Sequence, residues 1–270
     1  MRRRTGAQML EARRRSSRLI LQLVLTLLAI PFLLPLVAMV QGSLAGSGWG
    51  NYVAVLSVPE LPLFFRNSAI IAVGTIVIVY VLTMTAAFGF AKLHIKGKSF
   101  YFWLLIAALT LPEVVLLTPL FATMTALNLY NTYWAVILPL SALQLPFTVL
   151  LARNFIEGIP DELIEAARID GANTARGFWY IVLPLTRPIA AAIIVFTLLG
   201  AWNDYLLPLV FLVDPNTQTI TQLPQFFIGQ FSQDQTKVLA SAVITALPEV
   251  IAYLCLQRLF ERGLSAGALK

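Results

Sequence analysis

The chain has 270 residues, of which 59% are hydrophobic and only 12% charged, with a mean hydropathy of +0.81 and a formal net charge of +6. A soluble globular domain is about one-quarter charged, so this composition excludes an ordinary soluble protein and describes a chain built for a membrane. The single cysteine, Cys255, and single histidine, His94, exclude a disulfide framework and an ordinary His/Cys metal site made by this chain alone.

An arginine-rich N-terminus leads into the apolar run Leu19 to Val40. That run is longer than the hydrophobic region of a signal peptide and lacks a small-x-small cleavage site, so it reads as a retained signal anchor. A hydrocarbon core about 30 Å thick needs about 20 helical residues. Six stretches qualify, approximately 19–40, 68–91, 102–124, 134–152, 188–211 and 238–257. Pro112, Pro119, Pro139 and Pro146 fall within them; broken spans are tolerated where protein or a water-filled cavity satisfies the freed backbone. Ser47, Gly48, Trp49 and Gly50 suggest a flexible exit from the first span. The connections Gln41 to Asn67 and Val213 to Thr236 are long enough to carry structure, while Ala126 to Tyr133 is a short turn without charge. Gln222, Gln225, Gln230, Gln233 and Gln235 make the last of these connections amide-rich.

Basic residues set the topology. Arg2, Arg3, Arg4, Arg13, Arg14, Arg15 and Arg18 precede the first span, and Lys92, Lys96 and Lys98 follow the second. Arg153, Arg168, Arg176 and Arg187 follow the fourth, and Arg258, Arg262 and Lys270 follow the sixth. Seventeen of the 19 basic residues therefore share one side, leaving Arg66 and Lys237 on the other. Both termini and the long basic loop are expected in the cytoplasm. The basic excess is a topology signal, with no bearing on nucleic acid.

That loop reads as a helix, a hard stop and a second helix. Pro160 suits a first helical position, and Asp161 and Glu162 complement the helix dipole. Leu163, Ile164, Ala167 and Ile169 give an incomplete apolar stripe, and Glu165 and Arg168 are spaced to pair. Gly171 is free to adopt the left-handed conformation that ends a helix, and Asn173 suits the N-cap of the next. Pro184 and Pro188 discourage a smooth run into the fifth span.

Three acids, Glu113, Asp204 and Glu249, lie within apolar spans, where a charge costs about 2.5–3.5 kcal/mol on the insertion scale. They are expected to face the bundle interior. Trp202, Asn203, Asp204 and Tyr205 put aromatic faces beside amide and carboxylate acceptors, a mixture suited to sugar rings and hydroxyls; an interfacial aromatic cluster is the alternative. Gly97-Lys98-Ser99 resembles the end of a phosphate loop, but position 92 is Lys92 rather than glycine and no strand precedes it, which excludes nucleotide binding there.

Glu165-Ala166-Ala167, three residues, Gly171, nine residues, Ile181, one residue and Leu183-Pro184 together resemble the EAA loop of permease subunits in binding-protein-dependent ABC importers. The run Arg153 to Pro188 resembles the carbohydrate branch, and within it the smaller maltose-transporter-type permease. The resemblance continues through Trp202 to Pro208 and the tail Arg262 to Lys270, covering roughly the last three-quarters of the chain. It implies an all-α, polytopic fold of six transmembrane helices, the type I importer permease fold, with both termini cytoplasmic. The expected divisions are 1–62 (N-terminal segment, first span and outside loop), 63–257 (permease domain, with the coupling loop at 153–188) and 258–270 (cytoplasmic tail).

Carried over residue by residue, Glu165, Ala166, Ala167, Asp170, Gly171, Leu183 and Pro184 are the element that couples to an ATPase subunit. Glu113, Trp202, Asn203, Asp204, Tyr205 and Glu249 are candidates for the substrate pathway; Glu249 departs from the family, which usually has an apolar residue there. The resemblance further implies a second homologous permease subunit, two ATP-binding subunits carrying ATP and Mg, an extracytoplasmic binding protein facing the last outside loop, and a tail that reaches the ATPases. No cofactor, metal or catalytic residue is expected on this chain, which would sit among lipids of a bacterial cytoplasmic membrane. The cargo is expected to be a sugar or oligosaccharide, with glycerol phosphate or another polyol derivative as the alternative. Two readings of other classes remain: an ion-coupled secondary transporter using Glu113, Asp204 and Glu249, or a membrane enzyme, which lacks any clustered His, Cys or Ser.

Overall fold

The computed structural model describes residues 15–229 and 234–268, with side chains described over 19–229 and 234–257. Arg2 to Arg14, Gln230, Gln233, Leu269 and Lys270 therefore lie outside the described residues, as do the side chains of Arg15, Arg18, Arg258 and Arg262.

The described elements are helical: α1 (Arg15–Ser43), α2 (Trp49–Leu56), α3 (Leu61–Lys92), α4 (Lys98–Ala107), α5 (Glu113–Ala126), α6 (Trp134–Glu157), α7 (Asp161–Ile169), α8 (Thr174–Gly177), α9 (Leu183–Leu185), α10 (Arg187–Asn203), α11 (Leu206–Phe211) and α12 (Gln235–Ala268). A π-helical turn (Phe178–Val182) joins α8 to α9, and a 3-10 helix (Ile220–Phe227) lies between α11 and α12. Four helices are long and apolar enough to cross a membrane, and two bent pairs raise the number to six among the described residues.

The third span departs from a simple rod. Its halves, Lys98–Thr110 and Glu113–Ala126, meet at 106° across Leu111 and Pro112. Pro112 has no N–H to continue the ladder and holds an extended backbone, φ −71° and ψ 136°. Pro139 and Pro146, by contrast, leave α6 unbroken over 24 residues. Both prolines are buried there, in the most enclosed of the spans, so packing against neighbouring helices overrides the local penalty.

The core is centred on α3 and α6. Thr83 and Thr148 hydroxyls hydrogen-bond across them at 2.7 Å, fully buried. Gly74 permits the close approach, since a Cβ there would lie 2.8 Å from Ile137 Cδ1. Gly74→Val is therefore expected to cost about 1–3 kcal/mol by overpacking, read as a lower unfolding temperature of the purified chain. Gly177→Ala, with nothing within 4 Å of the new Cβ, is expected not to lower it.

α1 leaves its apolar side chains on the outside, with Phe32 79% exposed, and touches the bundle through α12. Such an outward apolar surface is intelligible only where lipid or another apolar chain surrounds it. The exit from α1 is fastened rather than flexible: Gly46 and Gly48 take positive φ, and the Asn51 amide donates to Ser43 O (2.9 Å) and Ala45 O (2.8 Å). α3 also starts before the predicted span, at Leu61, and its 32 residues extend about 48 Å at 1.5 Å per residue.

The amide-rich connection after α11 is mostly folded onto the bundle. Asn67, fully buried at the start of α3, donates to Asn216 O (2.9 Å) and Gln218 O (2.8 Å). Ile220 and Leu223 are fully buried, and Thr219 and Gln222 cap the 3-10 helix reciprocally. Asp234 accepts from Thr236 Oγ1 (2.7 Å) and Lys237 N (3.3 Å) at the start of α12. Hydrogen bonds from the Lys237 and Thr236 side chains hold its carboxyl down at about 2. The fold thus places Arg66 and Lys237 at one end of the bundle and Lys92, Arg153 and the loop after α6 at the other.

Candidate functional site

Two sites emerge, an elbow at the basic end of the bundle and a cavity within it. The elbow begins with Pro160, which is the N-cap of α7 rather than its first residue; Asp161 takes that place. Ile164 is buried in the cluster that also holds Phe88, Phe178 and Val182, so one side chain of the stripe anchors the helix. Ile169, predicted to join it, is 86% exposed. Gly171 ends the helix at φ +83°, with Gly171 N donating to Arg168 O (3.0 Å) and Ala172 N to Ala167 O (2.9 Å). This pair of bonds is the Schellman stop. Asn173 then accepts from Arg176 N at 2.9 Å as the N-cap of α8. Thr186 breaks the run, and the helix Thr174–Leu185 meets α10 at 76°.

Glu165, Ala166, Asp170, Gly171 and Pro184 are exposed, and Ala167 and Leu183 are half-buried. Glu165 and Arg168 do not pair; the ion pairs among the described residues are Lys92–Asp161, Arg153–Glu157 and Asp234–Lys237. Lys92 is the element that sequence reasoning missed. Its ammonium group donates to Ile159 O (2.5 Å) and Asp161 Oδ1 (2.6 Å), tying the end of α3 to the start of α7. Lysine at the end of a span is so common that the sequence offered no reason to single it out.

The cavity, about 550 Å³, lies between α6, α10 and the break at Pro112. Glu113, Gln144, Asn203, Asp204 and Tyr205 supply its polar wall. Phe147 and Phe196 supply an aromatic one, edge to face at 5.3 Å. Glu113 Oε1, Gln144 Nε2 and Asp204 Oδ2 are buried there without a hydrogen-bond partner. Buried polar atoms are usually satisfied, and three of the exceptions are grouped around this one cavity.

The candidate pathway residues separate into two groups. Glu113, Asn203, Asp204 and Tyr205 line the cavity. Trp202 turns away, donating from Nε1 to Thr245 O (3.1 Å) and packing 6.3 Å from the Phe65 ring. Glu249 sits behind the wall and accepts from the Asn203 amide at 2.5 Å. The 3-10 helix is tied to two residues of the lining: Gln225 Nε2 donates to Tyr205 Oη (2.7 Å) and Thr221 Oγ1 to Asp204 O (2.9 Å). Gln144 is a further polar residue of the cavity, legible in retrospect as an amide within an apolar span. Gly200, whose Cβ would lie 2.8 Å from Gln144 Nε2, carried no such signal. Among the described residues no set of three or more His, Cys, Asp or Glu side chains could hold a metal ion.

This arrangement of bent spans, a cavity between them that carries a few polar side chains, and a capped elbow is that of an importer permease. The chain belongs to the family of binding-protein-dependent transport system inner membrane components, whose model matches residues 79–266. It is an integral membrane transport component. It is 36% identical over 207 residues to the melibiose/raffinose/stachyose import permease protein MelC of Bacillus subtilis, covering 76% of this chain and 75% of that one. It is 36% identical over 218 residues to the sn-glycerol-3-phosphate transport system permease protein UgpE of Salmonella typhi, covering 80% and 76%. In structure it superposes on a chain of a bacterial ABC transporter involved in import of the acidic polysaccharide alginate, with a TM-score of 0.76 at 21% identity, covering 92% and 98%. The all-α importer permease fold is thereby established.

Proposed function

We propose that this chain is one of two homologous permease subunits of an ATP-driven importer in the bacterial cytoplasmic membrane, carrying a neutral sugar or oligosaccharide. The observation that carries the cargo is the cavity, where an aromatic wall accompanies one unpartnered oxygen on each of Glu113 and Asp204 and the unpartnered Gln144 Nε2. Sugars present apolar ring faces and many hydroxyl donors, and Glu113, Asp204 and Gln144 are suited to meet them. The similarity to MelC supports a neutral oligosaccharide. The similarity to UgpE favours a second reading, glycerol phosphate, against which two carboxylates beside a dianion weigh electrostatically.

In this reading both termini and the elbow face the cytoplasm. Of two ATPase subunits, which carry ATP and Mg, one grips the elbow of this chain, and an extracytoplasmic binding protein delivers cargo near the 3-10 helix. This chain binds no cofactor. ATP-driven closure pushes α7 and the bent path through α8 to α10, reorienting the spans around the cavity. The test is uptake by the complex reconstituted in vesicles with its binding protein, supplied with internal or external ATP and competing raffinose or glycerol phosphate. ATP-dependent uptake that persists when ion gradients are collapsed, and that raffinose rather than glycerol phosphate inhibits, is expected. Uptake that stops with the gradient would instead identify an ion-coupled carrier, and inhibition by glycerol phosphate alone would transfer the cargo to the phosphorylated polyol.

A further inference from the structure

We propose that the pocket where α4 meets α6, at the elbow end of the bundle, holds the phosphate of an anionic membrane lipid. Phe90, Lys98, Ser99, Phe102, Trp103 and Arg153 line this pocket of about 140 Å³. That is well below the about 300–1,000 Å³ of pockets that enclose drug-sized ligands, a size for one phosphate group and too small for a nucleotide. The tripeptide Gly97-Lys98-Ser99 thus keeps phosphate chemistry without a nucleotide site around it.

Three observations converge on the same small space. Lys98 spends one long hydrogen bond on Leu93 O, at 3.4 Å, leaving donors on its ammonium group for a ligand. Arg153 stacks 4.2 Å over the Phe102 ring and pairs with Glu157 at 2.5 Å. A guanidinium has five N–H donors, so one carboxylate leaves others for an anion, and the contact with the Phe102 ring holds the group at the pocket. Ser99 adds a hydroxyl in the first turn of α4, which is entered through Gly97 at φ +76°. Lys98 and Arg153 outnumber Glu157, so the site is positive.

The surroundings select the source of the phosphate. Trp103 and Phe100 are each 68% exposed, and Tyr101 is 57% exposed beside them. Exposed aromatic side chains next to cations form the belt found where acyl chains give way to headgroups, and basic pockets between spans at that level take anionic headgroups. The choice of a lipid over a soluble phosphate rests on the membrane orientation proposed above.

The experiment is native mass spectrometry of the chain with its accompanying subunits, released from nanodiscs containing equal phosphatidylglycerol and phosphatidylcholine. Wild type is expected to retain phosphatidylglycerol preferentially. Lys98→Gln and Arg153→Gln are each expected to cut that preference about fivefold, the share of one basic residue near an anionic surface. Glu157→Gln is expected to raise it by freeing Arg153, a gain that a misfolded variant cannot imitate. Equal retention of the two lipids by wild type, or an unchanged preference in both loss variants, overturns the site. Displacement by inorganic phosphate as effective as by lipid overturns the lipid assignment. The readout does not involve transport, so it is decided separately from the import assay.

Discussion

Gly200→Leu is expected to leave the subunit folded and assembled, with ATP hydrolysis by its partners at the basal rate, and to lower cargo uptake by at least roughly tenfold, equivalent to about 1.4 kcal/mol. Gly200 is on α10 where the helix passes the cavity, and Gln144 approaches it from α6. A Cβ at this position would come within 2.8 Å of Gln144 Nε2 and 3.3 Å of Gln144 Cδ. The obstacle is the far end of a flexible side chain, so the fold tolerates the substitution by moving the amide. The space available for that movement, and for the rest of the leucine, is the cavity itself. Gly200→Ala, with one carbon, is expected to lower uptake less and to change apparent affinity more than capacity. Uptake by the leucine variant equal to wild type, at equal subunit level, would remove the cavity from the translocation path.

Lys92→Met is expected to keep the subunit in the membrane and to lower cargo transported per ATP hydrolysed by about 5–150-fold, the range of a 1–3 kcal/mol coupling energy. The Lys92 side chain is 6% exposed and its partner Asp161 is 74% exposed, so the cation is the buried member of the pair. Methionine fills much the same space but leaves Ile159 O without its donor, a loss of about 1–3 kcal/mol for a buried acceptor. α7 is then held by Ile164 alone at its first turn, and a push on the elbow is absorbed locally before it reaches α3.

Asp161→Asn separates the charge from the backbone bond. It keeps Lys92 Nζ on Ile159 O, and because Asp161 is exposed its ion pair is screened by water; the expected effect is smaller. The hydrogen bond and charge of Lys92 hold the Asp161 carboxyl below its ordinary value of 3.8. A depressed carboxyl contributes stability above its unfolded pKa and loses it as pH falls through the folded one. The clamp is therefore constant across the neutral range and weakens only in acid. Transport and hydrolysis measured together on one vesicle preparation check both variants, and equal falls in the two rates would indicate lost protein rather than lost coupling.

The parts of this molecule that were legible in the sequence are those governed by local chemistry. Gly171 and Asn173 announced a helix stop and a new cap because left-handed backbone and N-cap oxygens are nearly residue-specific. Pro112 marked a real break, whereas Pro139 and Pro146 did not, because their effect is decided by how deeply α6 is packed. Periodicity assigned Ile169 to the buried stripe; only the orientation of α7 towards the cluster of Phe88 and Phe178 reveals that Ile164 alone is inside. Glu113 and Asp204 stood out as acids in apolar spans and do meet at the cavity, from α5 and from the end of α10. Trp202 was grouped with them by adjacency, but one residue along a helix is a rotation of about 100°, and it faces α12. Lys92 and Gly200 act through partners 67 and 56 positions away in the chain, Asp161 being 69 from Lys92; no single sequence displays such pairings.

The measurement that bears most directly on the account is a pull-down of this chain from its native membrane, comparing wild type with Gly171→Pro and Glu165→Lys, with companions identified by mass spectrometry. Gly171→Pro cannot adopt the φ of +83° that ends α7, and Glu165→Lys reverses the charge of the exposed elbow while leaving its backbone intact. Wild type is expected to bring down an ATPase subunit, a second permease and a binding protein, and both variants are expected to lose the ATPase while keeping the second permease. Absence of an ATPase from every sample, under conditions that hold other such complexes together, or its full retention by both variants, would contradict the elbow as the point where ATP-driven motion enters this chain.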